Sequence, residues 1–193
     1  MTTLFSVFMQ GVFLNNFILV MFLGLCSFFG VSKETKSALG MSATVTFVLA
    51  VTTPMTWLIY YYILEPLKVE YLWIVAFILV IATYVQSAEF IIRKKSPSLY
   101  RALGIYLPLV ASNCAILGAA LLIVSWRYTF VESIVFGVSA GLGYSMVLLI
   151  MSGIRERLEL SEIPRDFQGA PIAFIVAGIL SMAFMHYFGV FVI

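Results

Sequence analysis

Pro108-Leu109-Val110-Ala111-Ser112-Asn113-Cys114-Ala115-Ile116-Leu117-Gly118 is the stretch on which the reading of this chain turns. It lies in the middle of a long apolar run, with Arg101 thirteen residues before Cys114 and Arg127 thirteen after it. At about 1.5 Å per helical residue, Cys114 is roughly 20 Å along the axis from either charge. That places it near the midplane of a bilayer whose hydrocarbon is about 30 Å thick. The other cysteine, Cys26, is also inside an apolar run. Both read Cys-x-x-x-Gly: Cys26-Ser27-Phe28-Phe29-Gly30 and Cys114-Ala115-Ile116-Leu117-Gly118. Two thiols at matching places in two halves of the chain are the feature to explain.

The surrounding composition sets the class. The 193 residues are 63% hydrophobic and 10% charged, with a mean hydropathy of +1.09. Soluble domains are nearer half apolar and a quarter charged, so the chain reads as a polytopic membrane protein. A net charge of +2 does not point to nucleic acid, because the basic residues sit in short loops. Two cysteines are too few for a disulfide framework. No basic residue precedes the first apolar segment and no small-residue cleavage site follows it, so it is expected to be a retained helix.

Six segments have the length of a spanning helix: 4–31, 38–64, 71–92, 102–126, 130–154 and 170–192. The loops between them are too short for a soluble nucleotide- or cofactor-binding domain. The whole chain, 1–193, is expected to form a single all-α membrane domain. Basic residues are concentrated in alternate loops: Lys33 and Lys36; Arg93, Lys94, Lys95 and Arg101; Arg155, Arg157 and Arg165. The other two loops hold Lys68 and Arg127 alone. The basic loops belong in the cytoplasm, which puts both termini outside.

Gly40-Met41-Ser42-Ala43 is echoed by Gly137-Val138-Ser139-Ala140, and Ala76-Phe77-Ile78 by Ala173-Phe174-Ile175, both 97 residues on. The cysteines are 88 apart, which fits a longer link between segments 4 and 5 than between 1 and 2. Halves of about 1–97 and 98–193 would each hold three spans, so the second must start from the opposite face. The expectation is an inverted repeat with its axis in the membrane plane.

In such a repeat segments 1 and 4 meet at mid-membrane. Gly24, Gly30, Pro108 and Gly118 permit close approach or a break in either helix. Segment 1 is expected to break near Gly24–Gly30, and segment 4 near Pro108 or Gly118. Free cysteine also packs as a small hydrophobe, but the paired placement favours Cys26 and Cys114 as ligands. A [2Fe–2S] cluster normally takes four cysteines; this chain supplies two, and a similar partner could supply the rest. A disulfide would use both thiols without evident purpose there. Asn15, Asn16 and Asn113 either bond helix to helix or support a cofactor or ion path. Glu89 is four residues before Arg93 and reads as an interfacial pair. Glu132 sits at an outer helix end, where its side chain can reach water. His186 has no second histidine. Gly137, Gly141 and Gly143, with Ser139 and Ser145, make a small-residue packing face on segment 5. Arg155-Glu156-Arg157-Leu158-Glu159 reads as a solvated loop.

At these residues a family resemblance emerges. Asn15-Asn16-Phe17, Phe22-Leu23-Gly24-Leu25-Cys26 and Gly30-Val31-Ser32-Lys33 resemble the A subunits of the Rnf (Rsx) complexes. So do Leu103-Gly104-Ile105-Tyr106-Leu107-Pro108-Leu109, Asn113-Cys114-Ala115 and Gly153-Ile154-Arg155-Glu156-Arg157. Ser112 stands where threonine is more usual. The paralogous E subunit of the sodium-pumping NADH:quinone oxidoreductase is similar around both cysteines. It typically carries glutamate at the Asn15 position and a longer loop between segments 2 and 3.

The resemblance implies a membrane component of a bacterial inner-membrane complex moving electrons between ferredoxin and NAD, coupled to Na+ or H+ translocation. It implies a homologous partner of opposite topology, the E subunit, and a [2Fe–2S] cluster inside the bilayer with Cys26 and Cys114 as ligands. Flavin and nicotinamide would belong to other subunits, and no complete active site to this chain. A small inverted-repeat transporter is the competing class.

Overall fold

A computed structural model describes residues 4–67, 72–95, 110, 113–161, 164 and 167–189. Secondary structure among the described residues is helical throughout. Helix α1, Leu4–Met9, runs on into a π-helical turn, Gln10–Leu14. Residues 15–24 then leave the helix, and α2 spans Leu25–Val31. Helix α3, Thr35–Ile59, continues through a π-turn, Tyr60–Leu64, into a short α4, Glu65–Leu67. There follow α5, Trp73–Lys95; α6, Cys114–Ser125; α7, Phe130–Glu159; and α8, Ala170–Gly189.

Two of these are long and apolar enough to cross a bilayer, Thr35–Leu64 and Phe130–Glu159, each of 30 residues. They are the central pair and they run antiparallel. The backbone N–H of Thr35, at the start of α3, donates to Glu156 Oε1 near the end of α7. At the other end Trp57 Nε1 donates to Tyr128 O, just ahead of α7, at 2.8 Å. Midway, the Thr46 and Ser145 hydroxyls are 2.8 Å apart, and Thr46 Oγ1 also bonds Gly141 O at 3.1 Å.

Small residues let these backbones meet. A Cβ on Gly141 would lie 2.8 Å from Thr46 Cα, and one on Gly143 would lie 2.7 Å from Val12 O. The small-residue face expected on segment 5 therefore packs on two elements, α3 and the π-turn that ends α1. Around it Phe17, Phe28, Phe136, Met41, Leu49, Ile116 and Tyr144 form a buried core. Apolar residues on α5 and α8, among them Val75, Leu79, Phe174 and Met182, stay exposed, as suits surfaces that face lipid or other subunits.

Helix α7 opens with a capping box: Glu132 accepts from both the backbone N–H and the hydroxyl of Thr129, each at 2.9 Å. Glu132 is thus tied back to its own helix start. At the other end the structure corrects the reading of Arg155–Glu159 as a solvated loop. These residues are the last turns of α7, and Arg155 is buried. Pro108, Ser112, Lys68, Arg101 and Arg165 lie outside the described residues, as do the side chains of Glu89, Arg93 and Lys95.

Candidate cofactor site

Segment 1 is interrupted; the interruption begins upstream of the glycines that suggested it and ends at one of them, Gly24. The helix stops at Leu14, and Asn15 leaves helical geometry at φ −110°, ψ 44°. Asn16 then stitches the gap. Its Oδ1 accepts from the Ile18 and Leu19 amides at 3.1 and 3.4 Å. Its Nδ2 donates to Val12 O at 3.2 Å and to Gly143 O on α7 at 3.0 Å. A break in the apolar interior leaves backbone groups that such a side chain can satisfy. Gly30 lies inside α2, not at the break.

The chain re-enters helix through Gly24, whose φ of 82° is in the left-handed region. A Cβ there would fall 3.0 Å from the Tyr144 ring and 3.3 Å from both Ala115 Cβ and Asn113 Oδ1. Glycine is therefore required twice over, by conformation and by space. Its N–H donates to Cys114 Sγ at 2.8 Å. This contact joins positions 90 residues apart, and Cys26 follows two residues later in the first turn of α2.

Segment 4 is also non-helical next to its cysteine. Asn113 is extended, at φ −71° and ψ 114°, and caps α6 by accepting from Ala115 N at 3.0 Å. Cys114 is the first residue of α6, and Gly118 is within that helix. Each cysteine thus lies in the first turn of a helix that starts in the interior of its segment.

Helix α7 holds α2 at both ends. Ser27 Oγ donates to Gly24 O at 2.9 Å, so the Tyr144 hydroxyl, 2.6 Å from Ser27 Oγ, is the donor of that pair. At the far end Arg155 Nη1 donates to Phe29 O at 2.9 Å and to Ser32 Oγ at 2.7 Å. The guanidinium takes up a carbonyl that α2 leaves open at its C-terminus. Three turns of α7 thereby fix a seven-residue helix in place.

Cys26 is exposed and Cys114 half-buried, and both are free thiols. The Tyr144 hydroxyl lies within electrostatic reach of both. The structure therefore gathers Cys26, Cys114, Asn113, Tyr144, Ser27 and Gly24 at one place. Asn16 is fully engaged in the break, and His186 is exposed on α8. Among the described residues no three His, Cys, Asp or Glu side chains come together. The donor set at this place is two sulfurs, with one cysteine open to the surface.

Sequence reasoning does not single out Ser27 and Tyr144 as supports of the thiols. A serine next to a cysteine and a tyrosine in a glycine-rich helix carry no signal until α2 docks on α7.

Comparison with known proteins gives a consistent result. Residues 4–191 match a family model described as "Rnf-Nqr subunit, membrane protein". The chain is 53% identical over 189 residues to the A subunit of the ion-translocating oxidoreductase complex of Methanosarcina acetivorans, covering 97% of this chain and 95% of that one. It is 48% identical over 187 residues to the A subunit of the Na(+)-translocating ferredoxin:NAD(+) oxidoreductase complex of Acetobacterium woodii, covering 97% of each. The A subunit of the ion-translocating oxidoreductase complex of Psychromonas ingrahamii is 51% identical over 189 residues, 98% of each chain.

Proposed function

The chain belongs to the Rnf-Nqr family of membrane-protein subunits, and from that premise we propose that it is the A-type subunit of an Rnf complex in which Cys26 and Cys114 hold half of an intramembrane [2Fe–2S] cluster. The other two ligands come from a homologous subunit of opposite topology, the E subunit. The complex passes electrons between ferredoxin and NAD and couples this to Na+ or H+ translocation. The chain crosses the cytoplasmic (inner) membrane six times as two inverted three-helix repeats, with both termini outside. The antiparallel run of α3 against α7 supports that symmetry. So do the starts of α5 and α8, 97 residues apart like the sequence echoes.

One observation carries the ligand assignment: the Gly24 N–H bond to Cys114 Sγ, which brings two sequence-distant cysteine segments to a single break. The donor set fits the group. Two soft thiolates per chain suit iron–sulfur ligation, and the exposed Cys26 leaves room for ligands from another subunit. A [2Fe–2S] cluster bound there would supply a one-electron relay near the middle of the bilayer. The chain's own work is to hold and orient the thiols. Gly24 N–H and the N-terminus of α6 stabilise negative charge on Cys114. Ser27 and Tyr144 fix the Gly24 turn, while buried Phe28, Ala115 and Ile116 keep water from the inner side.

The test is iron and acid-labile sulfide in the co-purified A and E subunits. Cys26→Ser and Cys114→Ser should each remove both, and the double variant should be no worse than either, since residues of one site are non-additive. Thr83→Ala, on an exposed turn of α5, should retain both. Full iron and sulfide in either cysteine variant would make that cysteine a packing residue.

A further inference from the structure

Asn113 has a spare donor in a place where spare donors are costly. It is 3% exposed, and its Oδ1 is occupied in capping α6. Its Nδ2, fully buried, has no hydrogen-bond partner. The Tyr144 hydroxyl oxygen is the nearby protein acceptor for this side chain, but the contact falls short of full hydrogen-bond geometry at Nδ2. An unpaired buried amide is costly, and the low dielectric of a membrane interior makes the pressure to pair it greater. Capping does not require the amide, since serine or aspartate caps equally well. The neighbouring groups are already paired among themselves: the Tyr144 hydroxyl bonds Ser27, and the Ser27 hydroxyl bonds Gly24 O. Apart from the Tyr144 oxygen, which gives its hydrogen to Ser27 and keeps a lone pair, what lies beside Asn113 is the two-thiol site, with Cys114 the next residue and Asn113 Oδ1 3.3 Å from where a Gly24 Cβ would be.

We propose that Asn113 is a positioning residue for the iron–sulfur group, its Nδ2–H donating to a sulfur of the group held by Cys26 and Cys114 and raising its reduction potential. The inference rests on the cluster reading above. Hydrogen bonds to the sulfurs are among the controls on such potentials. A donor stabilises the additional negative charge of the reduced form more than that of the oxidised form, so the potential rises. The Gly24 N–H already occupies Cys114 Sγ from one side. The Asn113 amide would add a second, side-chain donor that can be removed by substitution.

The experiment uses the co-purified A and E subunits. Asn113→Ser keeps a helix-capping oxygen and removes the amide; Asn113→Asp keeps the shape and removes the donor. Iron and sulfide content is measured first, then the potential by redox titration followed by electron paramagnetic resonance. Asn113→Ser should retain the cluster at a lower potential, and Asn113→Asp should lower it further, because it adds a negative charge. An intact cluster with unchanged potential in Asn113→Ser would overturn the proposal. If neither variant assembles a cluster, the unsubstituted pair decides. With 15N in asparagine side chains, the reduced cluster should show a weak coupling to an amide nitrogen, and its absence would overturn the proposal. The cluster reading fails separately, through iron and sulfide retained in the cysteine variants.

Discussion

Helices α3 and α7 differ from α1, α2 and α6 in how they satisfy their backbones. The first pair lie in helical runs of 30 residues each without a gap. The others start or stop in mid-segment, and the freed groups are met by Asn16, Asn113, Ser27 and Arg155. In an apolar interior an unmet backbone group costs several kcal/mol, so a break persists only where specific side chains cover it. Two of those side chains, Ser27 and Asn113, are the immediate neighbours of the two cysteines. The continuous pair is a frame, and the broken elements are what it holds. This contrast predicts that the frame tolerates least in its backbone contacts, and that the broken elements depend on individual hydrogen bonds.

The largest effect is expected at Gly143, where frame and break touch. A side chain there would meet Val12 O at 2.7 Å and Val12 Cα at 3.0 Å, both backbone atoms that cannot rotate away. Gly143 O is also an acceptor for Asn16. Gly143→Val should cost about 3 kcal/mol or more, the upper range for overpacking. Thermal unfolding of the detergent-solubilised protein measures it. Gly153 lies on the same helix with nothing within 4 Å of its Cβ position. Gly153→Ala should be neutral or slightly stabilising. Equal losses at the two sites would show that α7 is sensitive along its whole length and that the α1 contact is not special.

Arg155→Met comes next. It leaves Phe29 O and Ser32 Oγ without their donor, and hydrogen bonds from charged groups contribute about 1.5–3 kcal/mol each. A total loss of about 3 kcal/mol is expected, the low end for two such bonds, concentrated in α2. Amide hydrogen exchange should therefore quicken in 25–31 before it does in α3. Uniform acceleration would mean that α2 is not held separately. Arg155 also marks a limit of reading the sequence. Within a run of alternating charges it looks solvated, and nothing local distinguishes it from Arg157, which is exposed. Its burial follows from an open carbonyl on α2, 126 residues away. By contrast the membrane class, the two thiol segments and the small-residue face were legible. They depend on composition, on a repeated Cys-x-x-x-Gly spacing and on glycine frequency. The break itself was legible, and so was its downstream end at Gly24, but where it begins was not. Glycine marks where a chain can turn, whereas this break begins at Asn15 and Asn16, where side chains can replace the lost helix bonds.

Gly24→Ala tests the turn directly. Left-handed φ for a residue with a Cβ costs about 1–3 kcal/mol, and the added carbon would press on the Tyr144 ring at 3.0 Å. Stability should fall by that amount, and the Cys114 thiol should become less reactive toward maleimide as the N–H that stabilises negative charge on its sulfur moves away. Unchanged reactivity alongside lost stability would separate the turn's role in folding from its role at the sulfur.

The smallest effect is expected at Tyr144, and its sign depends on the direction of one hydrogen bond. Ser27 Oγ is 2.9 Å from Gly24 O, which can only accept, so the Ser27 hydrogen is used there. The Tyr144 hydroxyl must then donate to Ser27 across 2.6 Å. Tyr144→Phe removes that donor and leaves Ser27 still bonded to Gly24, with no new buried donor unpaired. The cost should be about 0.5–1.5 kcal/mol, the net worth of one hydrogen bond. Ser27→Ala strands the Tyr144 hydroxyl in a buried place, while Gly24 O keeps the Phe28 N–H at 3.0 Å, and should cost about 1–3 kcal/mol. Ser27→Ala is therefore no neutral control beside the cysteine. Because both residues lie in one chain of bonds, the double variant should lose less than the sum of the two. If Tyr144→Phe proved as costly as Ser27→Ala, the hydrogen would run from Ser27 to Tyr144, and Gly24 would be held by its contacts with Asn113 and Ala115 instead.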